Sequence, residues 1–168
     1  MKAVDRGAYC ARGPYEDTPQ VRAQSSSNRA DVLPRLTGDG PAQRIGFNAT
    51  ISAPHMHGYA LEWLAPHLTP GKKVLDVGCG SGYLTACFAE LVRGGGGHAF
   101  GIDHIDGLVK LSETNMQRGN PEFLERGEAC LSVRDGFEGM PEHAPFDVIH
   151  VGAAVRMRHQ PNKHRNPL

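Results

Sequence analysis

The sequence predicts an α/β domain built on a parallel sheet, and three observations carry this prediction. Residues 74–82 combine a short apolar strand, a glycine turn and a helix start. Strand-like and helix-like apolar spacings then alternate as far as residue 152, which is typical of strands joined by right-handed helical crossovers. Finally, the glycine turn, Asp103 and Asp135 lie at or just after the carboxyl ends of predicted strands, so we expect them at the sheet edge where such folds bind ligands.

The glycine turn is the stretch that indicates a ligand. Its sequence runs Val74-Leu75-Asp76-Val77-Gly78-Cys79-Gly80-Ser81-Gly82. Glycine lets the backbone approach a ligand because no Cβ stands between them, and the amide N–H groups at the following helix start favour polar or negative atoms. We interpret the turn as a nucleotide-like cofactor site; a turn without a ligand is the alternative.

The composition limits the classes of protein to which the chain can belong. The chain has 168 residues, the size of one domain, with 18 basic and 18 acidic side chains. This balance gives no bulk attraction to nucleic acid or to an anionic membrane. The four cysteines (Cys10, Cys79, Cys87 and Cys130) form no CxxC pair and no metal-ligand spacing, so we expect reduced thiols. Without a signal-peptide core or a membrane span in the sequence, we expect a soluble, cytosolic protein.

Local patterns predict three helices and three further strands. Ser52 and Pro54 indicate an N-cap and a first turn, from which a helix continues to about residue 65. The positions expected on its buried face are Met56, Ala60, Trp63 and Leu64. A second helix is predicted from the spacing of Leu84, Cys87, Phe88 and Leu91. The third helix covers residues 105–119, and the strands cover 98–103, 130–133 and 146–152.

The glycine spacing separates two classes of cofactor. Nicotinamide-binding loops have G-x-G-x-x-G, whereas this chain has G-x-G-x-G with Asp76 two residues ahead of Gly78. This glycine pattern resembles the S-adenosylmethionine loop of class I methyltransferases. In such a loop Asp103 would be the acidic residue that holds the ribose hydroxyls.

A longer resemblance lies upstream of the glycine turn. The stretch reads Ala49-Thr50-Ile51-Ser52-Ala53-Pro54-His55-Met56-His57, and Tyr59-Ala60-Leu61-Glu62 follows. It resembles the signature of the protein-L-isoaspartate O-methyltransferase family. Further similar blocks extend the resemblance over residues 4–20 and 45–154, in order.

The resemblance implies a fold and a reaction. The fold would be a Rossmann-like parallel-sheet methyltransferase fold, incomplete because its C-terminal strands are missing. The reaction would transfer a methyl group from S-adenosyl-L-methionine to the free carboxylate of L-isoaspartyl, and also D-aspartyl, residues in damaged proteins, which initiates their repair. The partners would be isoaspartyl-containing proteins and peptides, without nucleic acid or membrane, and the protein would be a monomer. The alternatives are a catalytically inactive cofactor-binding fragment and, less favoured by the loop spacing, a nicotinamide oxidoreductase.

The resemblance also assigns residues. Ser52 would be the catalytic serine, orienting the substrate carboxylate rather than attacking it; a plain N-cap is the alternative. The residues expected to bind the cofactor are Ala49, Thr50, Ile51, Ser52, His57, Asp76, Gly78, Gly80, Gly82, Asp103, Arg134 (where the family usually has glycine) and Asp135. Those expected to bind substrate are Ser52, Gly152, Ala153 and Ala154. No metal is expected, because His55-x-His57 lacks a third ligand at suitable spacing.

The chain departs from the family pattern in two segments. We divide it into an N-terminal arm (1–20), a disordered insertion (21–44), a partial methyltransferase domain (45–154) and an unstructured tail (155–168). Both unmatched segments begin with Val-Arg, at 21–22 and 155–156, and our hypothesis is intron read-through; an adaptive insertion with a divergent tail is the alternative. Because the family continues beyond residue 154, we expect an unpaired apolar edge at the last strand and a marginally stable, aggregation-prone product.

Overall fold

A four-stranded parallel sheet forms the centre of the fold. The computed structural model describes residues 3–10, 13–16, 44–46 and 49–153. The strands in chain order are β1 (Arg44–Gly46), β2 (Ala49–Thr50), β3 (Lys73–Val77), β4 (His98–Asp103), β5 (Ala129–Val133) and β6 (Val148–Val151). Strands β1 and β2 form an antiparallel pair, and the other four form a parallel sheet in the order β5-β4-β3-β6. The predicted α/β class and parallel sheet are confirmed.

Helices connect these strands. They are α1 (Pro54–Leu64), α2 (Tyr83–Val92), α3 (Asp106–Gly119) and α4 (Pro121–Glu125). Helix α4 is not among the three predicted helices, the last of which ends at residue 119. Proline is favoured in the first turn of a helix, and here it starts one. None of the described helices is long and apolar enough to cross a membrane.

The predicted buried face of α1 is confirmed at Ala60 and Leu64 but wrong at Met56 and Trp63. Met56 is 52% exposed and Trp63 is 82% exposed. The inward positions are instead His57, Ala60, Leu61 and Leu64. These follow the i, i+3, i+4, i+7 spacing of a helix face, whose phase is set by a polar contact of His57 rather than by the larger apolar side chains.

The start of α1 and the end of α2 also differ from the predictions. The N-cap of α1 is Ala53, without a side-chain cap bond, so Ser52 is not the capping residue. In α2 the predicted Leu84, Cys87 and Phe88 are buried, whereas Leu91 is partly exposed. Helix α2 lies against β3, β4 and β5, and most of its residues are buried, which explains why its side chains are mostly apolar.

The described part of the N-terminal arm packs against the helices. Its only regular element is a 3-10 turn at Arg6–Ala8, but Val4, Tyr9 and Cys10 are buried. The Tyr9 hydroxyl donates to Asn120 Oδ1 at 3.0 Å, so an irregular segment still contributes to the core. Residue 44, which we predicted to lie in the insertion, belongs to β1. Residues 21–43 and 155–168 lie outside the described residues.

Strand β6 forms one edge of the parallel sheet. It pairs with β3, from Val74↔Val148 to Val77↔Val151, and no described strand lies on its other side. Ile149 is 58% exposed and Val151 is 50% exposed. Apolar side chains therefore accompany free backbone groups at this edge, which is the arrangement that favours edge-to-edge association.

Candidate functional site

A cavity of about 990 Å³ lies at the carboxyl ends of the parallel strands. It is bordered by β2, the glycine turn and the loops that follow β4, β5 and β6. Its lining residues include Ala49, Thr50, Gly78, Gly80, Asp103, His104, Ile105, Leu108, Arg134, Asp135, Gly136, Phe137, Gly152 and Ala153. The volume is at the upper end of the range for small-ligand sites.

The three glycines of the turn have different roles. All have positive φ, at 81° for Gly78, 55° for Gly80 and 80° for Gly82. A Cβ on Gly78 would lie 2.7 Å from Ala153 Cβ, and one on Gly82 would lie 2.9 Å from Ser112 Cβ. Close packing within the protein therefore requires these two glycines. Gly80 lines the cavity without such crowding, while Gly82 lies outside the lining.

Hydrogen bonds from neighbouring elements hold the glycine turn in place. The N–H groups of Gly78 and Cys79 both donate to the Ile102 carbonyl, at 2.8 and 3.0 Å. The Asn115 side chain on α3 donates to the Ser81 carbonyl at 3.0 Å. Strand β4 and helix α3 thus determine the shape of the turn before any ligand binds.

Asp103 is a buried carboxylate at the end of β4, with 7% of its surface exposed. Its Oδ2 accepts from the Gly80 N–H at 3.3 Å, and its Oδ1 accepts from the Ile105 N–H at 3.1 Å. A carboxylate offers about four lone-pair positions. These two bonds fix the side chain and leave it able to accept from two further donors in the cavity.

The loop after β5 forms a second polar wall. The Arg134 N–H donates to the Asp103 carbonyl at 2.9 Å, and its guanidinium pairs with Glu142. Asp135 Oδ1 accepts from the Phe137 N–H at 2.9 Å. Arg134 and Asp135 both line the cavity, so this part of the predicted site is brought together with Asp103.

Asp76 lies inside the protein rather than in the cavity lining. Its Oδ2 accepts from the Thr85 hydroxyl at 2.6 Å, and its Oδ1 lies 2.8 Å from His150 Nδ1. It therefore links β3, α2 and β6 behind the glycine turn. Sequence patterns alone did not indicate His150 as its partner, because that contact depends on β6 lying beside β3.

Ile51, Ser52 and His57 also lie outside the cavity lining. Ile51 belongs to the hydrophobic core. The Ser52 carbonyl accepts from Arg6 Nη2 at 2.7 Å, and His57 Nδ1 lies 2.7 Å from Arg6 Nη1. Arg6 was missed as a structural partner of these residues. Ala154 lies outside the described residues.

Acid should destabilise the fold through His57. Burial, Arg6 and His150 together lower the pKa of His57 to about 3, whereas an unfolded histidine titrates near pH ~6.5. The stability that the neutral ring contributes is present above pH ~6.5 and is lost as the pH falls toward the folded-state pKa. We expect a loss of about 2 kcal/mol between pH ~7.5 and pH ~5.

Urea unfolding at these two pH values tests this expectation. The variant His57→Gln should show a pH dependence smaller by about 2 kcal/mol than the wild type. His67→Gln is the matched control, because His67 is exposed, and it should keep the wild-type dependence. An unchanged pH dependence in His57→Gln would contradict the assignment.

Comparison with known proteins identifies the family. The family model described as Protein-L-isoaspartate(D-aspartate) O-methyltransferase matches residues 1–162. The chain is 47% identical over 156 residues to the Protein-L-isoaspartate O-methyltransferase of Caenorhabditis elegans, covering 93% of this chain and 59% of that protein. It is 43% identical over 158 residues to Protein-L-isoaspartate O-methyltransferase 1 of Arabidopsis thaliana, covering 92% of this chain and 58% of the relative.

A solved structure gives the same result. The match is a Plasmodium falciparum protein named as a protein-L-isoaspartate O-methyltransferase, crystallised in complex with S-adenosyl-L-homocysteine. It has a TM-score of 0.72 and 33% identity, covering 91% of this chain and 63% of that one. The chain spans somewhat under two thirds of the length of these proteins. On sequence and fold together, it belongs to the protein-L-isoaspartate(D-aspartate) O-methyltransferase family.

Proposed function

We propose that the protein binds S-adenosyl-L-methionine in the cavity and methylates the free carboxylate of L-isoaspartyl, and also D-aspartyl, residues in damaged proteins. The observation that carries this proposal is the convergence of Gly80, Asp103 and Asp135 on one cavity in a chain of this family. The partners are then proteins and peptides that contain isoaspartate. Cys79, Cys87 and Cys130 carry free thiols, which supports a reducing compartment such as the cytosol.

The residues in the cavity fit this cofactor. Asp103 has acceptor capacity for the two ribose hydroxyls, and Asp135 has a carboxylate oxygen for the amino group of adenine. Ile105 and Leu108 provide an apolar wall beside them. Gly80 leaves the backbone free of a side chain on the cavity side. When bound, the cofactor supplies a methyl group activated by a positively charged sulfur.

The proposed methyl transfer does not require the protein to transfer a proton. A carboxylate with a pKa near ~4 is already ionised at neutral pH, so a general base is not required. The contribution of the protein is orientation and exclusion of water, worth about 7–11 kcal/mol at best. We assign substrate contacts to Ser52, Gly152 and Ala153. Gly152 and Ala153 line the cavity, and Ser52 follows closely after Ala49 and Thr50, which also line it.

A methyl-transfer assay tests the proposal. The wild-type chain should form a methyl ester on an isoaspartyl peptide and none on the same peptide with normal aspartate. Ser52→Ala should lower kcat by at least about tenfold, because the substrate carboxylate is no longer oriented, with unchanged affinity for S-adenosyl-L-homocysteine. Thr69→Ala, at an exposed position, is the control and should leave kcat unchanged.

An inactive cofactor-binding fragment is the second candidate. It is favoured by the partial span of the relatives' length and by the exposed apolar residues Ile149 and Val151 beside the substrate end of the cavity. Calorimetric titration with S-adenosyl-L-homocysteine separates the candidates. Binding without methyl transfer supports the fragment, and methyl transfer to the isoaspartyl peptide excludes it.

A further inference from the structure

Arg6 connects three separate segments of the chain from a buried position. Its side chain is 4% exposed. Nε donates to the Pro14 carbonyl at 2.6 Å, Nη2 donates to the Ser52 carbonyl at 2.7 Å, and Nη1 lies 2.7 Å from His57 Nδ1. The guanidinium also lies over the Tyr83 ring, 5.2 Å from its centre. The same cation therefore contacts the backbone of Ser52 and the ring of His57.

The contact with His57 determines where the imidazole proton lies. Arginine carries only N–H donors and has no acceptor, so Nδ1 of His57 must accept from Arg6. A neutral imidazole that accepts at Nδ1 carries its proton at Nε2. Around the ring are Arg6, the Tyr83 ring at 5.1 Å and the more distant His150. Arg6 is a cation, the Tyr83 ring is neutral and His150 is a second histidine. Since none of them is an anion that would stabilise a charged imidazole, none favours protonation of His57.

We infer that Arg6 is a positioning residue for the segment that contains Ser52. It holds the Ser52 backbone in place and keeps His57 as the neutral tautomer protonated at Nε2. In this form Nε2 of His57 is a hydrogen-bond donor, while its Nδ1 lone pair is occupied by Arg6 and cannot act as a base. The importance of this arrangement for catalysis rests on the proposed function, whereas the tautomer itself is measured without the reaction.

The geometry also explains why lysine should not replace Arg6. Lysine has the charge but concentrates its donors on one nitrogen. The three acceptors of Arg6 lie in different parts of the chain (Pro14, Ser52 and His57) and are reached by three different guanidinium nitrogens. A lysine can keep His57 uncharged through repulsion, but it cannot hold all three partners together.

Long-range ¹H–¹⁵N NMR of the full chain with labelled histidine tests the inference. The His57 signals are assigned by their loss in His57→Gln. In the wild type we expect a bare Nδ1 and a protonated Nε2 at pH ~7, unchanged down to pH ~5. In Arg6→Met we expect both tautomers and a titration that moves up into this pH range. Arg93→Met, which removes an arginine paired with Glu90 on the surface, should leave the His57 signals unchanged.

Kinetics supplies the second readout. Arg6→Lys should lower kcat by at least about tenfold through loss of Ser52 positioning, with the affinity for S-adenosyl-L-homocysteine within about twofold of the wild type, because Arg6 lies outside the cavity lining. Three NMR results would overturn the inference: a wild-type His57 that is protonated at Nδ1, a wild-type His57 that is cationic at pH ~6, or His57 signals that do not change in Arg6→Met. If Arg6→Met does not fold, the tautomer of His57 in the wild type alone decides whether the inference holds. If the wild type transfers no methyl group, the proposed function fails while the NMR result still stands.

Discussion

Replacing Asp103 with asparagine should weaken the binding of S-adenosyl-L-homocysteine by at least about 100-fold. The carboxylate can accept two ribose hydroxyls in addition to its bonds from the Gly80 and Ile105 N–H groups. Asparagine loses one acceptor oxygen and turns an NH₂ group toward a backbone N–H. Hydrogen bonds to a charged group contribute about 1.5–3 kcal/mol each, so losing two of them corresponds to this change in affinity.

Calorimetric titration measures the effect, and a nearby carboxylate provides the control. Asp106→Asn makes the same chemical change three residues later, on the surface of α3, where Asp106 pairs only with Lys110 among the described residues. Its affinity should match the wild type. Thermal unfolding of both variants shows whether the fold is retained. Binding by a folded Asp103→Asn within about threefold of the wild type would remove Asp103 from the proposed ribose site.

The strand-end part of the site was predictable because it depends on local patterns and one topological rule. The glycine turn is contiguous in sequence, and its strand and helix follow from apolar spacing on either side. Asp103 is the last residue of one predicted strand, and Asp135 lies two residues after another. Since parallel strands joined by crossovers end at the same edge, these residues could be placed together without knowledge of the strand order.

The contacts of Asp76 and Gly82 were not predictable in this way. Asp76 binds His150 because β6 lies next to β3 rather than beside β5. No local pattern states that order. Gly82 is required where α3 passes within contact distance at Ser112, which depends on how two helices pack.

The phase of α1 and the role of Arg6 show the same limitation. The sequence pattern placed the large side chains of Met56 and Trp63 inside, as hydrophobicity alone would favour. Instead, a buried cation from 51 residues earlier pairs with His57 and turns that position inward. A strong polar contact between distant segments thus overrides the local apolar pattern, and a single sequence does not display it.

Replacing Gly82 with valine should cost about 3 kcal/mol or more of unfolding free energy. The residue has φ of 80° and ψ of 0°, a left-handed conformation that costs a residue with a Cβ about 1–2 kcal/mol. In addition, the Cβ would lie 2.9 Å from Ser112 Cβ and 3.3 Å from the Ser112 Cα and carbonyl oxygen. Because two of these atoms are backbone, α3 itself would have to move, at a cost of about 1–3 kcal/mol.

Gly127→Val separates the two contributions. Gly127 also has positive φ, at 67°, but a Cβ there meets no atom within 4 Å. Gly127→Val should therefore show only the cost of the left-handed backbone. In urea unfolding, the unfolding free energy of Gly82→Val should be at least about 1 kcal/mol lower than that of Gly127→Val. Equal losses of unfolding free energy in the two variants would mean that α3 adjusts freely and that Ser112 does not constrain the turn. A larger loss at Gly82 means that the packing of α3 against the turn maintains its conformation, and through Asn115 and Ser81 the same helix supports the cavity wall that Asp103 completes.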